Sequence, residues 1–338
     1  MTPEYILNRE QLIHDFNKMK KNLTSCDLHY ALKANAQDEV LQILKEENAN
    51  FEVASQEEFD KLINIGVDSS KIICGLPVKK ETMISDLYAR GCNYFVFDSI
   101  EEYKKLCRNA EQSIKILRIN INDIYKDNID YGMEMEEVEE FFSFYGFDDD
   151  LYGLSFHLTN NTDIDLLSEV LDKMQFIIDQ YKISPKILNI GGNYRLDIDN
   201  SFYEKLNEKL QCMKQKYNLI IYAEPGEGII SKALQLHFSV VTVKKKSYYS
   251  EVFIDSGIAS GLRRLPKKVS VITKEKEKSD MHFYKFYDIT CLHKCLFSIA
   301  LPYELESTDE LTIDNYGAYT ICYANSFHAW KQPPIKVI

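Results

Sequence analysis

The residue in this sequence best placed for covalent chemistry is Lys33, which follows a short apolar stretch. Residues 28–32 alternate in the manner of a buried β-strand, so Lys33 comes at the carboxyl end of that strand. Burial of an ammonium group is costly. Two interpretations follow: a side chain whose tip reaches solvent, or an amine kept partly neutral by burial and ready to form a Schiff base with a carbonyl compound.

Other polar residues stand at the ends of apolar stretches further along the chain. They are Glu52 with Ser55, Asp98, Arg118, His157, Gly191-Gly192-Asn193 and Glu224-Pro225-Gly226. A Gly-Gly turn lets backbone N–H groups approach an anion such as phosphate, although a tight left-handed turn is the commoner role of such a pair. Taken together, these residue types indicate one composite site.

These positions are the ends of eight short predicted strands that alternate with amphipathic helices. The strands are predicted at 28–33, 50–54, 71–75, 94–97, 115–121, 152–157, 187–191 and 219–223. Eight such units in succession predict a (β/α)₈ barrel, whose active site lies where the strands end. The connection 122–150 is longer and acidic, and a helix is predicted over 134–140.

Beyond residue 235 the pattern changes to alternating, β-rich runs, which predicts an antiparallel β domain. The runs are 238–243, 252–254, 269–272 and 318–323, and the charged segment 274–280 is interpreted as a hairpin loop. A short strand is also predicted at 5–8, before a helix. The predicted fold class is therefore α/β: a TIM barrel followed by a C-terminal antiparallel β domain.

The composition argues against several classes of function. A net charge of −12 over 338 residues disfavours a nucleic-acid partner. No stretch is long and apolar enough to predict a membrane span, and the first residues lack the features of a signal peptide. The eight cysteines are scattered without paired CxxC motifs. We therefore expect no metal site and a reducing, cytoplasmic location.

The strand-end segments resemble, in order, those of the fold-type III pyridoxal-phosphate decarboxylases. This family includes the ornithine, arginine, diaminopimelate and carboxynorspermidine decarboxylases, and alanine racemase shares its fold. The similar segments are 30–35, 53–58, 97–99, 117–119, 153–157, 189–193 and 224–226, followed by 254–257, 290–291 and 317–320. Each segment is short, but their common order along nearly the whole chain argues against chance.

The resemblance implies a decarboxylase that uses pyridoxal 5'-phosphate, with Lys33 carrying the cofactor on its amine. Glu224 would face the pyridine nitrogen and keep it protonated, which strengthens the ring as an electron sink. This favours decarboxylation over racemisation, because the racemase presents an arginine at that place. His157 would stack on the ring face, and Lys33, His157 and Cys291 would be the catalytic residues.

The resemblance also implies the remaining contacts and the assembly. The cofactor's phosphate would be bound by Gly191, Gly192 and Tyr319. Asn193 and Gly226 would also contact the cofactor, while Arg118 and Glu52 would be supporting groups. Cys291 would reach the site from a second subunit and assist reprotonation, so a homodimer with shared active sites is expected. The N-terminal strand would join the β domain, which gives a barrel over 10–235 and a β domain formed by 1–9 with 236–338.

Two departures from the family concern the cofactor. Glu227 stands where the family usually has an arginine that grips the phosphate. We hypothesise that Arg195, just beyond the glycine turn, supplies the missing charge; a surface arginine is the alternative. The serine that usually follows the histidine is also absent, and Asn160 could donate a hydrogen bond in its place.

A third departure concerns the substrate. Leu292 follows Cys291, where the ornithine and diaminopimelate enzymes have an aspartate that contacts the substrate's distal amine; carboxynorspermidine decarboxylases also have leucine. We therefore predict a carboxylated polyamine precursor or a natural-product intermediate, in which an aminocarboxypropyl group becomes aminopropyl. Arg263, similar to the diaminopimelate enzyme's substrate-carboxylate arginine, and His293 or Lys294 are candidate substrate contacts, with exposed loop positions as the alternative. An amino-acid racemase or epimerase and a catalytically inactive regulator remain open as other functions.

Overall fold

The computed structural model describes residues 2–126, 130–145, 152–159, 161–273, 278–292 and 294–338. It begins with strand β1 (Glu4–Leu7) and helix α1 (Arg9–Asn22). The chain divides into two compact units. The barrel unit comprises Asp15–Lys33 and Leu41–Gly228, and the β unit comprises Met1–His14, Ala34–Val40 and Ile229–Ile338.

The barrel unit contains eight parallel strands closed into a barrel. They are β2 (Asp27–Ala31), β3 (Asn50–Val53), β4 (Ile72–Cys74), β5 (Tyr94–Phe97), β6 (Ile114–Arg118), β7 (Tyr152–Ser155), β8 (Ile187–Asn189) and β9 (Ile220–Ala223). Each strand pairs with the next along the chain, and β9 pairs back with β2. Every strand overlaps its predicted range, so the predicted (β/α)₈ barrel is confirmed.

Helices follow the strands, as the alternating pattern predicts. They are α2 (Asp38–Glu46), α3 (Gln56–Asn64), α4 (Glu81–Ala89), α5 (Ile100–Asn109), α6 (Met135–Tyr145), α7 (Ile164–Tyr181), α8 (Asn200–Tyr217) and the short α9 (Glu227–Ile230). Several begin at a side chain that accepts a hydrogen bond from the first helical turn: Ser55, Ser99, Asp163 and Asp199. These residues end each connection and fix where the next helix starts. The predicted helix over 134–140 is present as α6.

Alternating side chains of the barrel strands point into the lumen and fill it. The lumen core consists of Ile73, Val96, Ile116, Ile187 and Tyr222. The strand register places Ala31 beside Glu52 and Glu52 beside Ile73, so these three side chains share the lumen face of their strands. Because the lumen is packed with side chains, space for a ligand remains where the strands end.

The β unit is built mainly from antiparallel strands. They are β10 (Leu234–Lys245), β11 (Ser250–Ile254), β12 (Val269–Val271), β13 (His282–Asp288), β14 (Cys295–Leu301), β15 (Glu310–Ile313) and β16 (Ile335–Val337). The strand order is β12-β15-β10-β11-β13-β14, and β1 pairs with β10 and β16. Two pairs are parallel, β11 with β13 and β1 with β16. The predicted C-terminal β domain is confirmed.

Two details of the predicted β domain are wrong. Residues 318–323 form bends and a 3₁₀ turn rather than a strand. Tyr319 has a φ of +54°, which no strand residue adopts, and its N–H donates to the carbonyl oxygen of Ala34 instead of to a sheet. Asn35 Nδ2 in turn donates to the carbonyl oxygen of Gly317. Local contacts therefore replace sheet pairing in this segment.

The segment 274–280 does not connect a hairpin, because β12 pairs with β15 while β13 pairs with β11 and β14. Residues 274–277 of that segment lie outside the described residues. All eight cysteines are free thiols. In the described part of the chain, no helix is long and apolar enough to cross a membrane, and no group of His, Cys, Asp and Glu side chains could hold a metal ion.

Candidate active site

A cavity lies at the carboxyl ends of the barrel strands. It encloses about 240 Å³ and is lined by Lys33, Glu52, Gly75, Val96, Arg118, Tyr131, Ser155, Phe156, His157, Asn189 and Glu224. All of these residues belong to the barrel unit. The structure therefore brings together five of the predicted strand-end residues: Lys33, Glu52, Arg118, His157 and Glu224.

The alternation of side chains along each strand explains why these residues meet. A residue that faces the lumen is followed two positions later by another that faces the same way, one layer nearer the strand's carboxyl end. The pairs are Ala31 and Lys33, Ile116 and Arg118, Ser155 and His157, and Tyr222 and Glu224. Lys33 itself lies on a 3₁₀ turn, Leu32–Ala34, directly after β2. Its side chain is exposed, so the interpretation of an amine kept neutral by burial is wrong, and the side chain reaches solvent at the strand end.

Glu224 is held in place by Asn189. The Nδ2 of Asn189 donates to Oε1 of Glu224 over 2.6 Å, while the Oδ1 of Asn189 accepts from the backbone N–H of Gly191 over 3.0 Å. Asn189 is buried, so its amide cannot rotate freely into solvent. The carboxylate at the end of β9 and the glycine turn after β8 are thus fixed to one side chain.

The glycine turn packs against its neighbours so closely that side chains are excluded. Gly191 has a φ of +66°, and a Cβ there would lie 2.7 Å from the carbonyl oxygen of Phe156 and 2.9 Å from Nδ1 of His157. A Cβ on Gly192 would lie 2.5 Å from the carbonyl oxygen of Glu224. Since Asn189 already accepts from the N–H of Gly191, a phosphate bound at this turn would draw its backbone donors from the following residues.

His157 is an uncharged imidazole at neutral pH. Burial lowers its pKa to about 3, and the positive charges of Lys33 and Arg118 act in the same direction. The ring is in contact distance of the Gly191 position, as the excluded Cβ shows. His157 therefore presents a flat neutral surface beside the turn.

Arg118 and Tyr131 form another part of the cavity wall. The guanidinium carbon of Arg118 lies 5.4 Å from the centre of the Tyr131 ring, a cation–π contact. Burial lowers the pKa of Arg118, and the nearby charges of Glu224 and Asp98 oppose that shift. The site thus holds a half-buried cation that contacts an aromatic ring and interacts electrostatically with Glu224.

Glu52 is the most enclosed acid of the cavity, with 2% of its surface exposed. Burial raises the pKa of its carboxyl to about 8; Lys33 opposes this shift and Glu224 adds to it. The uncharged form therefore predominates at neutral pH. Its side chain occupies the space beside Gly75, where a Cβ would lie 2.8 Å from both Cγ and Cδ of Glu52.

With this geometry in place, comparison with known proteins gives the family. Residues 9–231 match the family described as "Pyridoxal-dependent decarboxylase, pyridoxal binding domain". The chain belongs to this family. It is a pyridoxal-phosphate-dependent amino-acid decarboxylase.

Three similar proteins illustrate the relationship. Ornithine decarboxylase of Schizosaccharomyces pombe is 22% identical over 326 residues, which cover 89% of this chain and 75% of that protein. Antizyme inhibitor 2 of Xenopus laevis is 23% identical over 342 residues, covering 90% of this chain and 74% of that protein. The crystal structure of the Paramecium bursaria Chlorella virus arginine decarboxylase has the same fold, with a TM-score of 0.90 at 22% identity over 100% of this chain and 97% of that one.

The cavity of this decarboxylase fits pyridoxal phosphate. It offers the primary amine of Lys33 for the aldehyde and the carboxyl group of Glu224 for the ring nitrogen. The glycine turn, which leaves no room for a Cβ, offers backbone groups for the phosphate. Three buried polar atoms of the cavity lining have no hydrogen-bond partner within the described residues: Glu52 Oε2, Arg118 Nε and Ser155 Oγ. Unsatisfied buried polar atoms are rare in proteins and are expected where a polar ligand completes the site.

Other predicted cofactor contacts in the barrel unit lie outside the cavity lining. Arg195 is exposed, and its Nε and one terminal nitrogen donate to Asp197 over 3.0 and 2.7 Å. The hydrogen bonds to Asp197 raise the pKa of Arg195, and the negative charge of Glu227 raises it further. The guanidinium of Arg195 therefore interacts electrostatically with Glu227. Asn193, with a φ of +67°, donates through its amide to the carbonyl oxygen of Thr159. Gly226 is buried.

The remaining predicted residues belong to the β unit or lie outside the described residues. Cys291 is exposed and has a φ of +62°. Tyr319 is held through its N–H, as described above. The guanidinium of Arg263 lies 4.5 Å from the centre of the Tyr323 ring. Asn160 and His293 lie outside the described residues. The roles assigned to these residues stay predictions.

Sequence reasoning missed several residues of the site. Asn189 and Ser155 lie within segments that were singled out, and the alternation of side chains would have assigned both to the lumen. Asn161 is fully buried and donates to the carbonyl oxygen of Gly192. Gly75 follows Ile73 by two positions and could have been found in the same way. Tyr131 comes from the long connection after β6, where no sequence pattern identifies it.

Proposed function

We propose that Lys33, His157 and Glu224 hold pyridoxal phosphate in the barrel cavity and that the protein removes the α-carboxylate of an amino-acid-type substrate there. The observation that carries this assignment is that an amine, a neutral imidazole and an anchored carboxyl group line one cavity. Bound pyridoxal phosphate supplies a conjugated ring that accepts the electron pair left when carbon dioxide departs.

In this proposal Glu224 keeps a proton on the ring nitrogen of the cofactor. Asn189 holds Oε1 of Glu224, which leaves Oε2 to accept from that nitrogen without loss of orientation. A carboxylate here stabilises the protonated nitrogen, and a protonated ring withdraws electrons more strongly. Glu224 therefore supports decarboxylation rather than racemisation.

His157 positions the cofactor ring from one face. Its imidazole is uncharged at neutral pH, because burial and two neighbouring cations lower its pKa to about 3. A neutral ring can stack without placing a further positive charge beside Lys33. The turn at Gly191 and Gly192 fixes the position of the His157 ring, since the turn's backbone and the imidazole are packed together.

Residues of the β unit are proposed to complete the site. An exposed thiol at Cys291 suits a residue that assists reprotonation in the site of a second subunit, in a homodimer with shared active sites. Its loop is fixed by Thr290, whose N–H donates to the buried Asp288 over 3.0 Å. Tyr319 is proposed to bind the phosphate. The eight free thiols support a reducing, cytoplasmic location.

For the substrate, we propose an amino acid whose side chain ends in something other than a simple ammonium group, with carboxylated polyamine precursors as the leading class. Leu292 carries this part of the proposal. It stands where related decarboxylases that act on basic amino acids place an acid, and its side chain is 62% exposed. Arg263, stacked on Tyr323, is a candidate contact for an acidic or extended distal group.

The test measures carbon dioxide and amine formation by the purified protein with pyridoxal phosphate. The panel contains ornithine, lysine, arginine, diaminopimelate, carboxynorspermidine and carboxyspermidine. We expect kcat/KM for a carboxylated polyamine to exceed that for ornithine roughly 100-fold, because a distal ammonium left without a partner costs about 3 kcal/mol. Ornithine as the best substrate would contradict the substrate proposal.

Two variants locate the cause of the specificity. Leu292→Asp should raise kcat/KM for ornithine and lower it for the carboxylated polyamine. Leu265→Asp is the matched control, because Leu265 is also an exposed leucine of the β unit and has no proposed role. Cofactor binding without carbon dioxide release from any member would favour a regulator. Exchange at the α-carbon without carbon dioxide would favour a racemase.

A further inference from the structure

The cavity wall contains a buried acid to which the proposed function gives no role. Glu52 lies on β3 and faces the lumen, and its Oε2 has no hydrogen-bond partner in the described part of the chain. An ionised carboxylate needs partners on both oxygens to offset its loss of water. The geometry therefore favours the protonated acid, which can donate one hydrogen bond into the cavity.

The backbone beside Glu52 is shaped to receive this carboxyl group. Gly75 follows β4 and lines the same cavity. A Cβ at Gly75 would overlap Oε1 of Glu52 and would lie 2.8 Å from both its Cγ and its Cδ. Any residue larger than glycine would thus displace the acid. Gly75 does not have a positive φ, so its small size rather than its backbone freedom is what the site uses.

Several charged or titratable groups interact electrostatically with Glu52 from the elements packed around it. They are Lys33 after β2, Cys74 on β4, Glu58 on α3, Arg118 on β6 and Glu224 after β9. The carboxyl of Glu58 is already engaged, since it accepts from the N–H of Ala54 over 2.6 Å. Lys33 is the group that acts most strongly on Glu52 among these charges. Glu52 therefore lies close to Lys33, the proposed attachment point of the cofactor.

We propose that Glu52 is an uncharged hydrogen-bond donor of the cavity, directed at an anionic oxygen of bound pyridoxal phosphate, and that Gly75 is required because it leaves room for this acid. The proposal rests on the proposed attachment of the cofactor at Lys33. It makes Glu52 a cofactor-binding residue whose contribution depends on its proton. Above the pH at which that proton is lost, Glu52 becomes an anion that repels the same oxygen.

The first experiment titrates the cofactor-free protein with pyridoxal phosphate and follows the absorbance of the bound form. Affinity is measured at several pH values on both sides of 8, the value to which burial raises the pKa of Glu52. The wild type should lose about tenfold or more in affinity across this range relative to Glu52→Gln, whose amide donates at every pH. Glu102→Gln is the control, because Glu102 is a buried acid of the barrel unit that pairs with Lys79 and does not line the cavity. An unchanged pH dependence in Glu52→Gln would overturn the proposal.

The second experiment tests the pairing of Glu52 with Gly75. Gly75→Ala should weaken cofactor binding about tenfold or more, since the donor is displaced. The double variant Gly75→Ala/Glu52→Asp should recover most of that affinity, because the shorter acid vacates the space the methyl group needs. Urea unfolding of each cofactor-free variant confirms that it is folded. Additive losses in the double variant would overturn the pairing.

A third measurement separates this proposal from the proposed function. Reduction with borohydride should link the cofactor to wild type and to Glu52→Gln, but not to Lys33→Ala. If the wild type takes up no cofactor, the proposed function fails. If it does, and Glu52→Gln and Gly75→Ala behave like the wild type at every pH, the inference about Glu52 alone fails.

Discussion

Two glycines of the barrel unit share a left-handed backbone but differ in their surroundings, and this difference gives a quantitative prediction. Gly191, in the cavity turn, has a φ of +66°, and Gly66, after α3, has a φ of +78°. Alanine at either position must adopt the left-handed region, which costs about 1–2 kcal/mol. Gly66→Ala is therefore a control that carries the backbone penalty of Gly191→Ala without its contacts.

The surroundings add a second cost at Gly191. A Cβ at Gly66 would meet the flexible end of Lys45 at 3.3 Å, which can move aside. A Cβ at Gly191 would lie 2.7 Å from the carbonyl oxygen of Phe156 and 2.9 Å from Nδ1 of His157. Overpacking against backbone and a buried ring costs about 1–3 kcal/mol. We expect Gly191→Ala to lose about 1–3 kcal/mol more unfolding free energy than Gly66→Ala.

The assay is urea unfolding of the two cofactor-free variants, followed by absorbance titration with pyridoxal phosphate. Gly191→Ala should also weaken cofactor binding, because the added methyl group pushes His157 and the turn out of place. Gly66→Ala should bind the cofactor like the wild type, since Gly66 does not line the cavity. Equal losses of unfolding free energy in the two variants, with equal cofactor affinities, would refute the packing argument.

Two further predictions concern charge. Burial lowers the pKa of both His157 and His29 to about 3. Each histidine therefore takes up a proton near pH 6.5 in the unfolded chain but not in the folded chain. As the pH drops from 6.5 toward 3, the unfolding free energy falls by about 1.4 kcal/mol per pH unit for each residue. His157→Gln and His29→Gln should each reduce the pH dependence of the unfolding free energy measured in urea. Only His157→Gln should also weaken cofactor binding. Equal cofactor affinities of the two variants would contradict the stacking role of His157. Arg195→Ala should lower the affinity for pyridoxal phosphate about tenfold. Asp197→Asn, which releases the guanidinium, should not lower it. Unchanged affinity in Arg195→Ala would show that Arg195 is a surface residue without a phosphate contact.

The barrel could be predicted from the sequence because its signals are local. Each strand is a short apolar run with a turn or cap at its end, and each helix has its own periodicity. The bends at 318–323 could not be predicted, because their sequence alternates like a strand. What prevents pairing there is the positive φ of Tyr319 and its hydrogen bond to Ala34, a residue far away in the chain.

The residues of the site could be predicted to the extent that local strand patterns determine them. Alternation and strand order identify which side chains reach the carboxyl end of the lumen, and Lys33, Arg118, His157 and Glu224 all do so. Arg195 shows where this reasoning stops. Its contact with the cofactor's phosphate stays a prediction; in the structure its nitrogens donate to Asp197, an ion pair that no sequence pattern indicates. Rotamers and ion pairs on a surface loop have no periodic signature.

The raised pKa of Glu52 follows from the closure of the barrel rather than from any one strand. Glu52 on β3 and Glu224 after β9 are far apart in sequence, and they meet because β9 pairs with β2 and β2 with β3. In this small space Lys33 lowers the pKa of Glu52 and Glu224 raises it, while burial raises it most. Asn189 donates to Glu224, whereas Oε2 of Glu52 has no donor within the described residues. Glu224 is thus the acid that is held by a hydrogen bond, and Glu52 is the buried acid that has a proton to give to a ligand.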